Sequence, residues 1–444
     1  MSTLHRLLNV ISCSFLASIG LIGVANAAGP FEPPSFPGFG HPTFLPLNGF
    51  AFGVATGDIN GDGHLDLVVT GSSDNQISLL FGHGDGTFEP DRPFPVGHRS
   101  ADVVLLDLDD DGDLDMAVAS AVSGVVLILR NDGTGSFTVI QTIGVGVQTQ
   151  SIAAGDLNGD GLIDLAASNA GSNTVSVLFD QGGGHFSPAV NHTVGNFPTD
   201  VAIGDLNNDG LPDLAVPNAF SNTTSVLYND GQGGFPTSIT LPGFGGTDVA
   251  IFDADQDGDD DLFVAQGIVI VIFENLGDGE LAPYGLLPQR GLQGAWNNLA
   301  VADFNLDGLP DLAATMFSNV PGVGGRVIAM TGVRNMLFHK REDHIVDGEV
   351  DGDDLSILLT QWGDIGFTID FNHDGTVNGA DLVLLLVNWG EAPIFKFWVA
   401  PTTSASQAIV TGDFNEDGAP DLAVTLPNTT SEAAVYLNRM STSK

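Results

Sequence analysis

Seven nine-residue segments carry oxygen-bearing side chains at one odd spacing: DINGDGHLD from Asp58, DLDDDGDLD from Asp107, DLNGDGLID from Asp156, DLNNDGLPD from Asp205, DADQDGDDD from Asp253, DFNLDGLPD from Asp303 and DFNEDGAPD from Asp413. Positions 1, 3, 5 and 9 hold Asp or Asn, Gly at 6 allows a sharp turn, and the backbone carbonyl at 7 adds an acceptor. Oxygens that converge in this way suit a hard cation, and their number fits Ca²⁺ better than the strict octahedron of Mg²⁺. Polar hairpin turns favour the same residue types, but turn chemistry does not demand four ligands in fixed register in every copy.

The first loop offers Asp58, Asn60, Asp62, the His64 carbonyl and Asp66, and the second Asp107, Asp109, Asp111, the Asp113 carbonyl and Asp115. The third and fourth offer Asp156, Asn158, Asp160, Leu162 and Asp164, then Asp205, Asn207, Asp209, Leu211 and Asp213. The fifth has Asp253, Asp255, Asp257, Asp259 and Asp261. The sixth has Asp303, Asn305, Asp307, Leu309 and Asp311, and the seventh Asp413, Asn415, Asp417, Ala419 and Asp421.

The elements that position these loops repeat with them. Start-to-start distances are 49, 49, 49, 48, 50 and 110 residues, so the last gap is one repeat plus an insertion. The fourth unit shows the grammar: DVAIG, the acidic loop, DLAVPN, a polar turn, SVLYND, a Gly-rich turn and a more polar PTSITLPG. Four short strands per unit predict an all-β, seven-bladed propeller of four-stranded blades, the innermost strand most apolar and the outermost most solvated. The seventh unit stops after its third strand, and HPTFLPL at 41–47 is expected to supply the fourth, leaving no open edge. Residues 28–40 read as a Pro-rich leader, 41–335 as blades one to six, and 394–440 as the rest of the ring.

The acidic loop with its following D-L-A-V strand resembles the FG-GAP/VCBS repeat family, whose best-known relative is the propeller of integrin α chains. The resemblance implies about seven Ca²⁺-bound hairpin loops on one propeller face and ligand contacts on the opposite face. It does not imply integrin function.

Residues 336–393 hold a second duplication, DHIVDGEVDGDDLSILLTQWG and DFNHDGTVNGADLVLLLVNWG. The second copy matches a twelve-residue EF-hand-type loop through Asp370, Asn372, Asp374, the Thr376 carbonyl, Asn378 and Asp381, followed by an amphipathic helix. The first is weaker, with Ile345 where an oxygen belongs, so the insert is expected to bind one or two further Ca²⁺ ions. Two loop-helix halves resemble a type I dockerin, which implies a cohesin-like partner. The usual recognition positions hold Gly352-Asp353 and Gly379-Ala380, and a Ca²⁺-stapled structural module stands as the other reading.

The chain of 444 residues has 55 Asp+Glu against 12 Lys+Arg, a net charge of −43. This balance opposes nucleic acid and anionic membranes, which need clustered cations. Arg6, an apolar run from Leu7 to Val24 and Ala25-Asn26-Ala27 predict an export signal over 1–27. The expected location is outside the cytoplasm of a bacterium: secreted, cell-surface or periplasmic. Cys13, the only cysteine, lies in that signal, so no disulfide or catalytic thiol is expected. No later stretch is long and apolar enough for a spanning helix.

An active site is not legible, because Lys340, Lys396, Lys444, Tyr228, Tyr284 and Tyr436 are scattered and the histidines occupy different repeat positions. The expected function is non-catalytic adhesion or binding of an extracellular protein or glycan by a monomer. A lyase-type, polysaccharide-active enzyme is the alternative. Arg290 and Trp296 in RGLQGAWNN are the candidate ligand contacts, with a gap-filling role for Trp296 weighed equally.

Overall fold

The structure, a computed structural model, describes residues 39–438 apart from 72–74, 244, 255, 278, 289–293, 318–325, 332–395, 403–405 and 427–430. The described residues form 28 strands in seven four-stranded antiparallel sheets. After β1 (Thr43–Pro46), blade one is β2 (Ala51–Gly57), β3 (Asp66–Gly71), β4 (Gln76–Leu80) and β5 (Arg92–Pro95). Blade two is β6 (Ser100–Leu106), β7 (Asp115–Ser120), β8 (Val125–Asn131) and β9 (Phe137–Gly144). Blade three is β10 (Thr149–Gly155), β11 (Asp164–Asn169), β12 (Thr174–Leu178) and β13 (Val190–Thr193). Blade four is β14 (Ala202–Gly204), β15 (Asp213–Asn218), β16 (Thr223–Tyr228) and β17 (Thr237–Pro242).

Blade five is β18 (Gly246–Phe252), β19 (Asp261–Gln266), β20 (Val269–Asn275) and β21 (Leu281–Pro288). Blade six is β22 (Ala295–Ala302), β23 (Asp311–Phe317), β24 (Arg326–Thr331) and β25 (Lys396–Pro401). Blade seven is β26 (Ile409–Gly412), β27 (Asp421–Leu426) and β28 (Glu432–Tyr436), and its outer strand is β1. Thr43 pairs with Val435 and Pro46 with Glu432, so the N-terminal strand closes the ring. The first strands touch in order around the axis, and β26 meets β2.

The outermost strands are the most exposed, as in β5 and β13, but the innermost are not the most buried. The second strand of each blade is the most deeply buried: β3, β7, β11, β15, β19 and β27 are buried at every residue. First strands such as β2 and β10 mix buried and half-buried residues, because they line the central axis instead of lying between two blades. Small residues in DLAVPN and DLAASN follow from this, since both faces of a second strand must admit a neighbouring blade. The apolar core is split into seven clusters, one at each blade-to-blade interface. The cluster between blades three and four, for example, joins Leu157, Val175 and Val177 to Leu214, Val216 and Leu227.

β24 and β25 pair from Arg326↔Pro401 to Thr331↔Lys396, so 332–395 join the two ends of one registered hairpin. The expected insert at 336–393, with Asp370, Asn372, Asp374, Thr376, Asn378 and Asp381, lies outside the described residues, as do Asp255 and Arg290.

Candidate metal centre

Each acidic loop joins the first strand of a blade to the second, and position 9 is the first residue of that second strand. All seven loops therefore share one end of the ring. Position 4 is left-handed in every copy, with φ from 55° at Glu416 to 75° at Gly159. The glycine at position 6 is left-handed too, with φ from 82° at Gly210 to 101° at Gly258. A Cβ at any of these seven glycines meets nothing within 4 Å, so the demand is conformational and not spatial.

The double reversal turns the carboxylates inward. Position 1 accepts from the position 6 N–H in all seven loops, as Gly63 to Asp58 Oδ2 at 2.8 Å and Gly308 to Asp303 Oδ2 at 2.7 Å. Position 5 accepts from the position 7 N–H in all seven, as Leu162 to Asp160 Oδ1 at 2.9 Å. In several copies the other oxygen of position 1 also accepts from the loop backbone, as Gly61 to Asp58 Oδ1 at 2.8 Å and Gly159 to Asp156 Oδ1 at 2.7 Å. In the second loop, carboxylate oxygens of Asp107, Asp109 and Asp111 lie within 4.8 Å of one another.

These residues fit a hard cation. The donors are all oxygen, and Asp109 Oδ1 and Asp253 Oδ1 are buried acceptors without a hydrogen-bond partner, an arrangement that a coordinated ion relieves. Asp107, Asp109 and Asp111 would hold the ion, which would neutralise their mutual repulsion.

The second loop has one local competitor. Arg130, on β8, places Nε 2.8 Å from Asp109 Oδ2, as an ion pair without hydrogen-bond alignment, and donates through Nη2 to the Gly183 carbonyl at 2.8 Å. The His64 side chain is engaged as well. Its Nδ1 lies 2.5 Å from Glu416 Oε1, across the seam between blades one and seven, and this bond raises the imidazole pKa.

Position 9 has a second task that spacing alone did not announce. Asp164 Oδ2 accepts from the Leu157 N–H at 3.0 Å, and its Oδ1 accepts from the Asp180 N–H at the end of the third strand at 2.8 Å. Asp66, Asp115, Asp213, Asp261 and Asp421 make the same pair of bonds. Burial pushes the carboxyls of Asp66 and Asp164 up to about 6 and those of Asp213 and Asp421 up to about 7, against the lowering effect of the backbone donors.

The residue closing the third strand extends this clasp to the neighbouring blade. Asn131 Nδ2 donates to Ile59 O at 2.8 Å, Asn229 Nδ2 to Leu157 O at 2.8 Å, and Asn438 Nδ2 to Phe304 O at 2.8 Å. Each bond reaches position 2 of the preceding acidic loop. In sequence Asn229 reads only as part of the third strand SVLYND, with nothing to mark this bond.

Three further carboxylates escaped the sequence reading. Asp102, Asp200 and Asp248 sit five residues before their loops, at the ring's axis. Asp102 Oδ2 accepts from the Ile152 N–H at 3.1 Å and Asp200 Oδ2 from the Val249 N–H at 2.9 Å, one blade onward in each case. Enclosure by protein raises all three, Asp102 to about 6, and the Asp200 charge adds to the rise at Asp248.

The ligand-contact expectation for Trp296 needs correction. It is 2% exposed and packs among Phe263, Ile272 and Met316 between blades five and six, so it fills the gap and presents no surface.

A family model for the FG-GAP-like repeat matches residues 58–118, 107–167, 157–216 and 253–314. These stretches of the ring are FG-GAP-like repeats. No curated protein matches this chain in sequence. Among solved structures it is similar to BBS1N in complex with ARL6DN, in crystals soaked with lead or mercury, at TM-score 0.53 with 12% and 13% identity over 90% of this chain and 96% of that one. At that identity the likeness shows the fold alone. An Agrocybe aegerita lectin, studied for specific recognition of non-reducing terminal N-acetylglucosamine, aligns at TM-score 0.46 with 20% identity over 65% of this chain and 81% of that one. That likeness is too slight to bear on function. Among the described residues no helix is long and apolar enough to cross a membrane.

Proposed function

We propose that this chain is a secreted, non-catalytic binding module whose FG-GAP-like loops take Ca²⁺ and whose opposite face meets an extracellular protein or glycan. The observation that carries the reading is the Asp107, Asp109 and Asp111 oxygen cluster in a loop whose bonding pattern recurs around one face of the ring. A cation there fixes the end of each blade and leaves the turns at the other end free to meet a partner. Aspartates at ligand positions account for much of the net charge, so calcium also relieves the ring's self-repulsion.

The test is an array of glycans and matrix proteins probed with the full chain in about 1 mM Ca²⁺ and again in excess EGTA. Binding that requires Ca²⁺ is expected. Binding and melting both indifferent to EGTA would refute the reading.

A further inference from the structure

Three successive blades build the face opposite the acidic loops to one plan. The connections into them read Val-Gly-His-Arg-Ser at 96–100, Val-Gly-Val-Gln-Thr at 145–149 and Val-Gly-Asn-Phe-Pro at 194–198. The turns between their second and third strands read Ala-Val-Ser-Gly at 121–124, Ala-Gly-Ser-Asn at 170–173 and Ala-Phe-Ser-Asn at 219–222. In each blade the alanine N–H donates to the facing connection, to Arg99 O, Gln148 O and Phe197 O at 2.8, 2.9 and 2.9 Å. The serine hydroxyl ties the same two segments together, through His98 Nδ1 at 2.8 Å, the Val147 N–H at 2.7 Å and the Asn196 N–H at 2.7 Å. The frame is constant. The two residues it displays are not: Arg99 with Val122, Gln148 with Gly171, Phe197 with Phe220.

In blade four the displayed pair is aromatic and stacked, with ring centroids 4.3 Å apart and planes 20° from parallel. Phe197 holds a left-handed φ of 60°, a conformation bulky side chains avoid, and Gln148 has φ 57° at the matching position. Phe220, lying against it, is 71% exposed. The unfavourable backbone thus supports a ring that adds nothing to the core, a combination that points outward to a ligand.

The chemistry of that ligand follows from the surroundings. Neither segment carries a charged residue, and a chain of net charge −43 repels anions. The exposed ring belongs to two short segments that also carry the exposed residues Asn196 and Asn222. An aromatic face with a few hydrogen-bonding groups at its edge matches a ring that is apolar on its C–H face and hydroxylated at its rim. We propose that Phe197 and Phe220 form a stacking platform for a neutral sugar ring, seated on Phe220. This inference rests on the binding-module reading and names its ligand class.

The test is ligand-observed NMR and calorimetry on the full chain in Ca²⁺, with cellohexaose, mannohexaose, a galacto-oligosaccharide and, as a peptide-like control, N-acetyltryptophanamide. At least one of the oligosaccharides is expected to bind, with Phe220→Ala and Phe220→Leu each weakening it about tenfold, and Phe220→Trp retaining it. Ile268→Ala, at an exposed apolar residue in the matching turn of blade five, should change nothing. Because Phe220 is exposed, the variants should melt with the parent. Failure of all three oligosaccharides to bind overturns the proposal, as does tighter binding of N-acetyltryptophanamide through Phe220. Sugar binding that survives both ring-deleting variants removes this site while leaving the binding-module reading in place.

Discussion

Asp164 and Asp160 sit in the same loop and separate two roles that spacing alone runs together. Asp164 accepts two backbone N–H groups, so Asp164→Asn leaves one of them without an acceptor and should cost about 1–3 kcal/mol even in excess EGTA. Asp160→Asn should be nearly silent in EGTA and costly only with Ca²⁺ present. Paired melts with and without EGTA check both, and equal losses under the two conditions would contradict the distinction. A pH profile belongs to the same residues. The carboxyls of Asp213 and Asp421 are raised to about 7 in the folded ring, above their unfolded range, so the folded state binds more protons. Their contribution to stability is full below the unfolded pKa and is lost as pH rises through about 7. The chelated protein should therefore melt lower at pH 8 than at pH 5. Calcium favours the ionised carboxylates and should reverse the trend, so the gain in melting temperature on adding Ca²⁺ should grow across that window. A gain that shrinks toward pH 8 would count against metal coordination.

At the scale of the element, the second acidic loop and β8 compete for one carboxylate. Arg130 sits on Asp109 Oδ2 and sets a positive charge beside the cluster that would hold the ion, so Arg130→Gln should tighten Ca²⁺ binding at this loop several-fold, measured by calorimetry. An unchanged affinity would show that the guanidinium and the ion use different oxygens. The loops and strands were legible because each is encoded locally: odd spacing, a glycine at position 6, and alternation within five or six residues. HPTFLPL could be placed in blade seven because the seventh unit lacked one strand, and β1 pairs there. What was not legible depends on neighbours. Trp296 and Phe220 are both large aromatics near turns, yet one is 2% exposed and the other 71%, and only packing between blades decides which. The bond from Asn229 to Leu157 O spans 72 residues and leaves no local signature. The inner end of the strand gradient was misread for a similar reason, since burial in a ring depends on having a blade on either side.

For the whole molecule, the seven interface clusters make stability a sum of neighbour contacts. If each loop binds Ca²⁺ near ~0.1 mM, then 1 mM Ca²⁺ adds ~1.4 kcal/mol per site, and seven sites approach ~10 kcal/mol, comparable with the stability of an entire domain. Excess EGTA should lower the melting temperature by tens of degrees, and an unshifted curve would remove calcium from the account. The registered pair Thr331↔Lys396 sets a further expectation. Replacing 332–395 with a two-residue Gly-Asn turn should preserve the ring, as judged by an unchanged β-sheet circular dichroism spectrum and cooperative melting. The seam between β1 and β28 has a mechanical meaning. Those strands run antiparallel with Thr43 opposite Val435, so the two ends of the ring emerge side by side. A load applied between them does not shear the sheet. It peels the strands apart one hydrogen bond at a time, making this single seam a fuse that opens before any blade is pulled through its own core.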